Sequence, residues 1–178
     1  MTVRITDTTL RDARQSWLIA GIIPSGLAIA VLGFMPWLQF TQFAEFLGPV
    51  SWHVSGDDVY GMTALGDGKV VGALATAVIV LALASFGLAS LRQLLASGIA
   101  ITGFVIFGIA LYDALYDWGS GRQGGHLNQP LDVEIAVGLW LTLALGLTIG
   151  IAGLVLTGLS RGRQEGDEST HERAQGWA

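Results

Sequence analysis

The sequence contains no cysteine. That excludes a disulfide framework, a thiolate metal site, a catalytic thiol and a lipidated cysteine anchor. Charge is scarce too. Asp, Glu, Lys and Arg make up 13% of the 178 residues, against about 25% in ordinary soluble domains. No stretch is dense enough in Lys and Arg to follow a phosphate backbone, so nucleic acid is not an expected partner. Disorder requires low hydrophobicity and high net charge; this chain is 52% hydrophobic with a net charge of −5. No G-x-S-x-G elbow, Walker loop, dinucleotide fingerprint, HExxH pair or calcium loop appears. His53 and His126 are far apart in sequence, and His171 lies in the C-terminal tail. The reading is therefore of a protein that is not an enzyme, with no cofactor and no metal site.

Long apolar runs take the place of these motifs. A membrane-spanning helix needs roughly 20 mostly apolar residues. Residues 17–38, 70–91, 94–115 and 133–159 qualify, and their apolarity is continuous rather than alternating. The expected fold is an all-α membrane protein, a four-helix bundle in contact with the lipid bilayer. Residues 1–16 form an N-terminal segment, 17–159 the transmembrane domain, and 160–178 a tail expected to be disordered. Trp17 and Trp37 bracket the first span and Trp118 follows the third, as interfacial anchors of an aromatic belt. Trp140, about two turns into the fourth span, needs a packing partner or a shallow position. Pro24 inside the first span removes a backbone hydrogen bond, and Ser25 is placed to help satisfy the freed carbonyls.

Orientation follows from basic residues in short loops. Arg4, Arg11, Arg14, Arg92, Arg161, Arg163 and Arg173 fall on one side; Lys69 and Arg122 fall on the other. Both termini are thus expected in the cytoplasm of a multi-pass cell-membrane protein. The outer segments carry eight acids against their two bases. A signal peptide is the competing reading of the N-terminus, with Ala28-Ile29-Ala30 as its cleavage site. Apolarity continues past that point through Trp37 and Phe40, which favours a retained span. Thr9-Leu10-Arg11-Asp12 matches a capping box, so the first helix is expected to start before the membrane.

Lipid is as apolar as leucine, so spans associate by close packing of small residues and by interhelical hydrogen bonds. Gly138, Thr142, Gly146 and Gly150 form such a ridge on the fourth span. Ala73, Ala77, Ser85 and Ala89 form a row on the second, and Gly98, Thr102 and Ala110 lie on the third. These rows serve either packing within the chain or contact with a second copy or another membrane protein.

The first outer connection holds Phe40, Phe43, Phe46 and Leu47, read as a short interfacial turn. Residues 50–55 alternate like a strand, so a small β-hairpin is expected there. Gly56-Asp57-Asp58 and Gly66-Asp67-Gly68 are turns, with Asp67 placed to cap the second span. In the second connection, residues 119–125 read as a flexible tip. Pro130 and Asp132 lead into the fourth span, where Asp132 and Glu134 suit a helix N-terminus. The tandem Ala110-Leu111-Tyr112-Asp113 and Ala114-Leu115-Tyr116-Asp117 stacks tyrosine on tyrosine and carboxylate on carboxylate. Asp113 lies about one turn from its span's end, within reach of water. Asp113 and Asp117, with Asp57 and Asp58, are either solvated or paired acids, or a site for a cation or proton. Near the end of the tail, Trp177 is either a docking residue or unpacked.

Four short motifs mark this layout: Pro36-Trp37-Leu38, Gly66-Asp67-Gly68, Tyr112-Asp113 and Gly138-Leu139-Trp140. With them, about residues 17–158 resemble small four-helix integral membrane proteins of high-GC actinobacteria and haloarchaea. The resemblance implies topology and no activity. A claudin-like bundle also has four spans and a tryptophan in its first outer loop, but this chain lacks that family's paired loop cysteines. The functional expectation is a non-enzymatic accessory or scaffold subunit, associating as a homo-oligomer or within a larger membrane complex. The alternative is a small transporter, channel component or cation sensor that uses the outer acids.

Overall fold

In lipid, a spanning segment must satisfy its own N–H and C=O groups, and an uninterrupted apolar helix does so. The structure, a computed structural model, describes residues 3–44, 48–55, 66–120 and 131–175. Helix α1 runs Val3–Leu32, α2 Asp67–Gly87, α3 Arg92–Ser120 and α4 Val137–Gln175. Strand β1 runs Pro36–Ala44, β2 Gly48–Ser55 and β3 Leu131–Ile135. Among the described residues, four segments are long and apolar enough to cross a membrane: Ala13–Leu32, Asp67–Gly87, Arg92–Tyr116 and Val137–Arg161. Each helix packs on two neighbours, so that α1, α2, α3 and α4 close a ring. Ile29, Val78, Ile99, Ile106, Leu139 and Ile149 fill its centre.

The strands form one antiparallel sheet in the order β2-β1-β3. The hairpin of β1 and β2 lies where alternation in 50–55 suggested one, and β3 is an addition. Leu38 pairs with Val54 on one side and Ile135 on the other; Gln39 pairs with His53 and Glu134. Leu38 is buried and Ile135 half-buried, whereas Ser51, His53 and Glu134 are exposed. Period-two alternation thus turns one face to the bundle and one away.

Several boundaries differ from the sequence reading because the sheet claims the ends of apolar runs. The first run reads as apolar to Leu38, but α1 stops at Leu32 and residues 36–38 begin β1. Phe40 and Phe43 lie in β1, opposite Trp52 and Pro49, rather than in an interfacial turn; Phe46 and Leu47 lie outside the described residues. At the fourth run, Asp132 and Glu134 belong to β3 opposite Thr41 and Gln39, so they are not first-turn acids of a helix. The N–H of Ala136 extends this pairing to the carbonyl of Trp37 at 2.8 Å before α4 begins. Trp140 consequently sits in the first turn of α4, exposed.

Helix α1 begins at Val3, so Thr9 is inside it and is not a cap. The Ser25 hydroxyl donates to Gly21 O at 2.8 Å, one residue away from the Ala20 carbonyl that Pro24 leaves without its N–H. At the other end of the chain, α4 continues to Gln175 where a disordered tail was expected. Arginine, glutamine and glutamate are good helix formers and propagate an existing helix cheaply. Gly121 to Gly125, Pro130 and Trp177 lie outside the described residues.

The α2–α3 connection is Leu88 and a single 3-10 turn at Ala89–Leu91. The Leu88 N–H donates to Ala84 O at 2.9 Å, and Arg92 Nε donates to Ser85 O at 3.1 Å. A cation on the final carbonyls of a helix satisfies them and opposes the helix dipole.

Candidate functional site at the sheet end of the bundle

At the sheet end, α2 begins and α3 approaches its close. Gly66 precedes α2 with φ 83°, a left-handed conformation that favours glycine. The cap position, Gly66, therefore has no side chain to donate or accept a cap hydrogen bond, and Asp67 instead occupies the first helical turn. Asp67 is 1% exposed. Gly33, just past α1, lies against this turn: a Cβ there would stand 2.6 Å from Gly68 O.

Asp113 is 4% exposed. The sequence placed it near a helix end and in reach of water, but α3 continues to Ser120, about two turns further. Ala110, about one turn earlier, and the adjacent Ala114 are also buried, so Asp113 sits on the inward stripe of α3. Asp67 and Asp113 are each about 20 residues from the tight α2–α3 connection, so antiparallel helices bring them to the same level. The sequence reading saw Asp67 only as a cap. Its burial was hidden because nothing in a Gly-Asp-Gly turn distinguishes a solvated acid from an enclosed one.

Tyr112 and Tyr116 stack, with ring centroids 5.3 Å apart and planes 9° from parallel. Both rings are on the exposed side of α3. Asp117 and Trp118 lie on α3 with side chains outside the described set, and Asp57 and Asp58 lie wholly outside it. Asp113 and Asp67 are thus each buried toward the sheet end of the bundle, and no placement is described for the side chains of the remaining proposed acids. His53 is exposed on β2. Among the described residues no three His, Cys, Asp or Glu side chains group to hold a metal ion.

The predicted ridge on α4 packs within the chain. A Cβ on Gly138 would stand 2.6 Å from Pro36 O, on Gly146 2.9 Å from Phe107 N, and on Gly150 3.1 Å from the Phe104 ring. Thr142 is fully buried, and its hydroxyl donates to Gly138 O at 2.9 Å. Gly103 and Gly153 complete the α3–α4 contact, each with an added Cβ 2.5 Å from a backbone nitrogen, of Gly150 and Ala100 respectively. The row proposed for α2 is placed otherwise. Ala73 and Ala77 are exposed, and α2 buries Val71, Ala75, Val78, Ala82 and Ser85.

Of the tryptophans, Trp17 is 79% exposed near the start of the first candidate span. Trp37 is not a belt residue: it is 4% exposed, and its Nε1 donates to Leu32 O at 2.9 Å. It plugs the junction of α1 and β1 because a buried indole requires an acceptor and the last carbonyls of α1 supply one.

Comparison with protein-family models and with curated proteins finds no match.

Proposed function

We propose that this protein is a non-enzymatic accessory or scaffold subunit of a larger complex in the cell membrane, with both termini cytoplasmic and the sheet outside. The observation that carries the reading is where its hydroxyls go. Ser25, Thr76, Thr102, Thr142, Thr148 and Thr157 each donate to the carbonyl four residues earlier in their own helix, at 2.8–2.9 Å. Each of these hydroxyl protons is committed to its own helix backbone rather than to a substrate or a facing helix. The outward surface, by contrast, is large and aliphatic: Leu27 and Val31 on α1, Val80 and Leu83 on α2, Ile151 and Leu154 on α4 are exposed. Beyond the helices, β2 and β3 are the sheet's edge strands, and edges offer a backbone ladder to another chain. Cytoplasmic termini are supported by the seven arginines on that side against two bases on the other. The test is extraction in a mild detergent or nanodisc, native mass determination and partner identification. A stoichiometric hetero-complex is expected. A lone monomer with measurable transport or catalysis overturns the proposal.

A second reading rests on the burial of Asp67 and Asp113 at one level of the bundle. Burying carboxylates is costly unless a partner, proton or cation accompanies them. Under this reading the sheet end handles a cation or proton. Asp113→Asn then alters ion flux or ion-dependent thermal stability, and an unchanged response removes the reading.

A further inference from the structure

At the end of the bundle away from the sheet, α1 and α4 part to leave an open groove of about 420 Å³. Arg14, Trp17 and Leu18 line it from α1; Val155 and Leu159 line it from α4. Its chemistry is graded along the helix axis. Arg14 is the second residue of the candidate span Ala13–Leu32, and Leu159 is two residues from the end of Val137–Arg161. The cation thus stands at the edge of the apolar layer with Leu159 at a similar depth, and Leu18 and Val155 lie about one turn deeper. Trp17, exposed between them, has the amphipathic ring suited to that boundary. One turn beyond Leu159 on the same helix stands Arg163. An occupant must present an anionic head to arginine and a hydrocarbon tail to Leu18, Val155 and Leu159.

We propose that this groove is a binding site for one anionic phospholipid of the adjacent leaflet. The assignment rests on the membrane-spanning reading of the helices but not on any partner complex. A zwitterionic lipid fills the aliphatic wall equally well but gives Arg14 no net charge to pair with. A second copy of the chain, joined by a two-fold axis through the groove, brings Arg14 toward its own symmetry mate, and like charges disfavour it. Basic pockets between helices on the cytoplasmic side are a general mode of anionic-headgroup capture. One arginine near the headgroup is worth about fivefold in affinity.

The experiment places the full chain in phosphatidylcholine nanodiscs, titrates phosphatidylglycerol, and counts retained lipids by native mass spectrometry. The wild type is expected to retain one phosphatidylglycerol. Arg14→Gln weakens retention about fivefold. Val155→Trp fills the groove without changing charge and abolishes retention; Leu159→Phe serves if that variant does not fold. Lys69→Gln, at the sheet end, leaves retention unchanged. The proposal is overturned if Lys69→Gln loses as much as Arg14→Gln, if both groove-filling variants keep the lipid, or if the recovered particle is a dimer that excludes it. None of these outcomes bears on whether native membranes yield a partner complex, so the two proposals fail separately.

Discussion

Gly103→Ala measures the closeness of α3 and α4 directly. The new Cβ would stand 2.5 Å from Gly150 N, 2.9 Å from Gly150 Cα and 3.0 Å from Ile149 C. All three are backbone atoms, so no side chain can rotate out of the way. Ordinary contact begins at 3.4 Å, so one helix must retreat by about 0.9 Å and loosen its neighbours. Overpacking of this kind costs about 1–3 kcal/mol. Alanine returns about 0.5–1 kcal/mol of helix propensity, leaving a net loss of up to about 2.5 kcal/mol. Gly108→Ala is the control: it lies on the same helix with nothing within 4 Å of the added Cβ. It keeps the propensity gain and adds no clash, so it is neutral or stabilising by up to about 1 kcal/mol. The assay is reversible unfolding in mixed micelles, followed by far-ultraviolet circular dichroism, with the two midpoints compared. Equal midpoints would refute the argument, because the two substitutions differ only in what the new methyl meets.

Other substitutions test other contacts. Trp37→Phe removes the buried Nε1 donor from Leu32 O and is expected to destabilise by about 1–3 kcal/mol in the same unfolding assay. Thr142→Val changes stability by less than about 1 kcal/mol, since the lost hydroxyl bonds only its own helix at Gly138 O; a larger loss would show that the hydroxyl serves another group. Arg92→Met leaves Ser85 O without its 3.1 Å donor and speeds proteolysis at the α2–α3 connection in detergent, while Lys69→Met at the sheet end does not.

How much of this could be read from the sequence follows from which physical constraint acts on each segment. Span existence was legible because the bilayer imposes about 20 apolar residues whatever the neighbours do. Span ends were not. Residues 36–38 and 133–135 are as apolar as a helix end, but the sheet assigns them to strands. The alternation Leu131-Asp132-Val133-Glu134-Ile135 carried the signal for β3, since period two is a strand signature; proximity to a long apolar run masked it. Helix faces were legible where small residues recur against a partner, as at Gly146 and Gly150, and illegible on α2. In a helix that is apolar all round, hydropathy does not separate the side facing protein from the side facing lipid. Ala73 and Ala77 look like packing residues but are exposed. The candidate site was half legible: Tyr112 on Tyr116 follows from spacing, whereas the burial of Asp67 and Asp113 depends on how α2 and α3 meet.

The two ends of the bundle are built differently, and this bears on where a partner or lipid can act. At the sheet end, β1 follows α1, β3 precedes α4, and their pairing ties the two connections together. Ala136 N–H to Trp37 O and Gly138 against Pro36 O fasten α4 to the same junction. Separating α1 from α4 there requires breaking a β ladder. No such ladder joins the opposite end among the described residues. There a small, mostly apolar-walled cavity of about 10 Å³ lies between the helices, with Gln15, Ser85, Arg92 and Ser160 among the residues that line it. These polar groups come from all four helices, and the Arg14 groove opens alongside between α1 and α4. Helix displacement therefore costs least at the end bearing the termini. Hydrogen exchange in nanodiscs is expected to protect the amides of residues 26–32 more strongly than those of 13–19 on the same helix. Phosphatidylglycerol should narrow that gap by slowing exchange at 13–19. If the two stretches of α1 exchange alike, the sheet is not acting as a clamp.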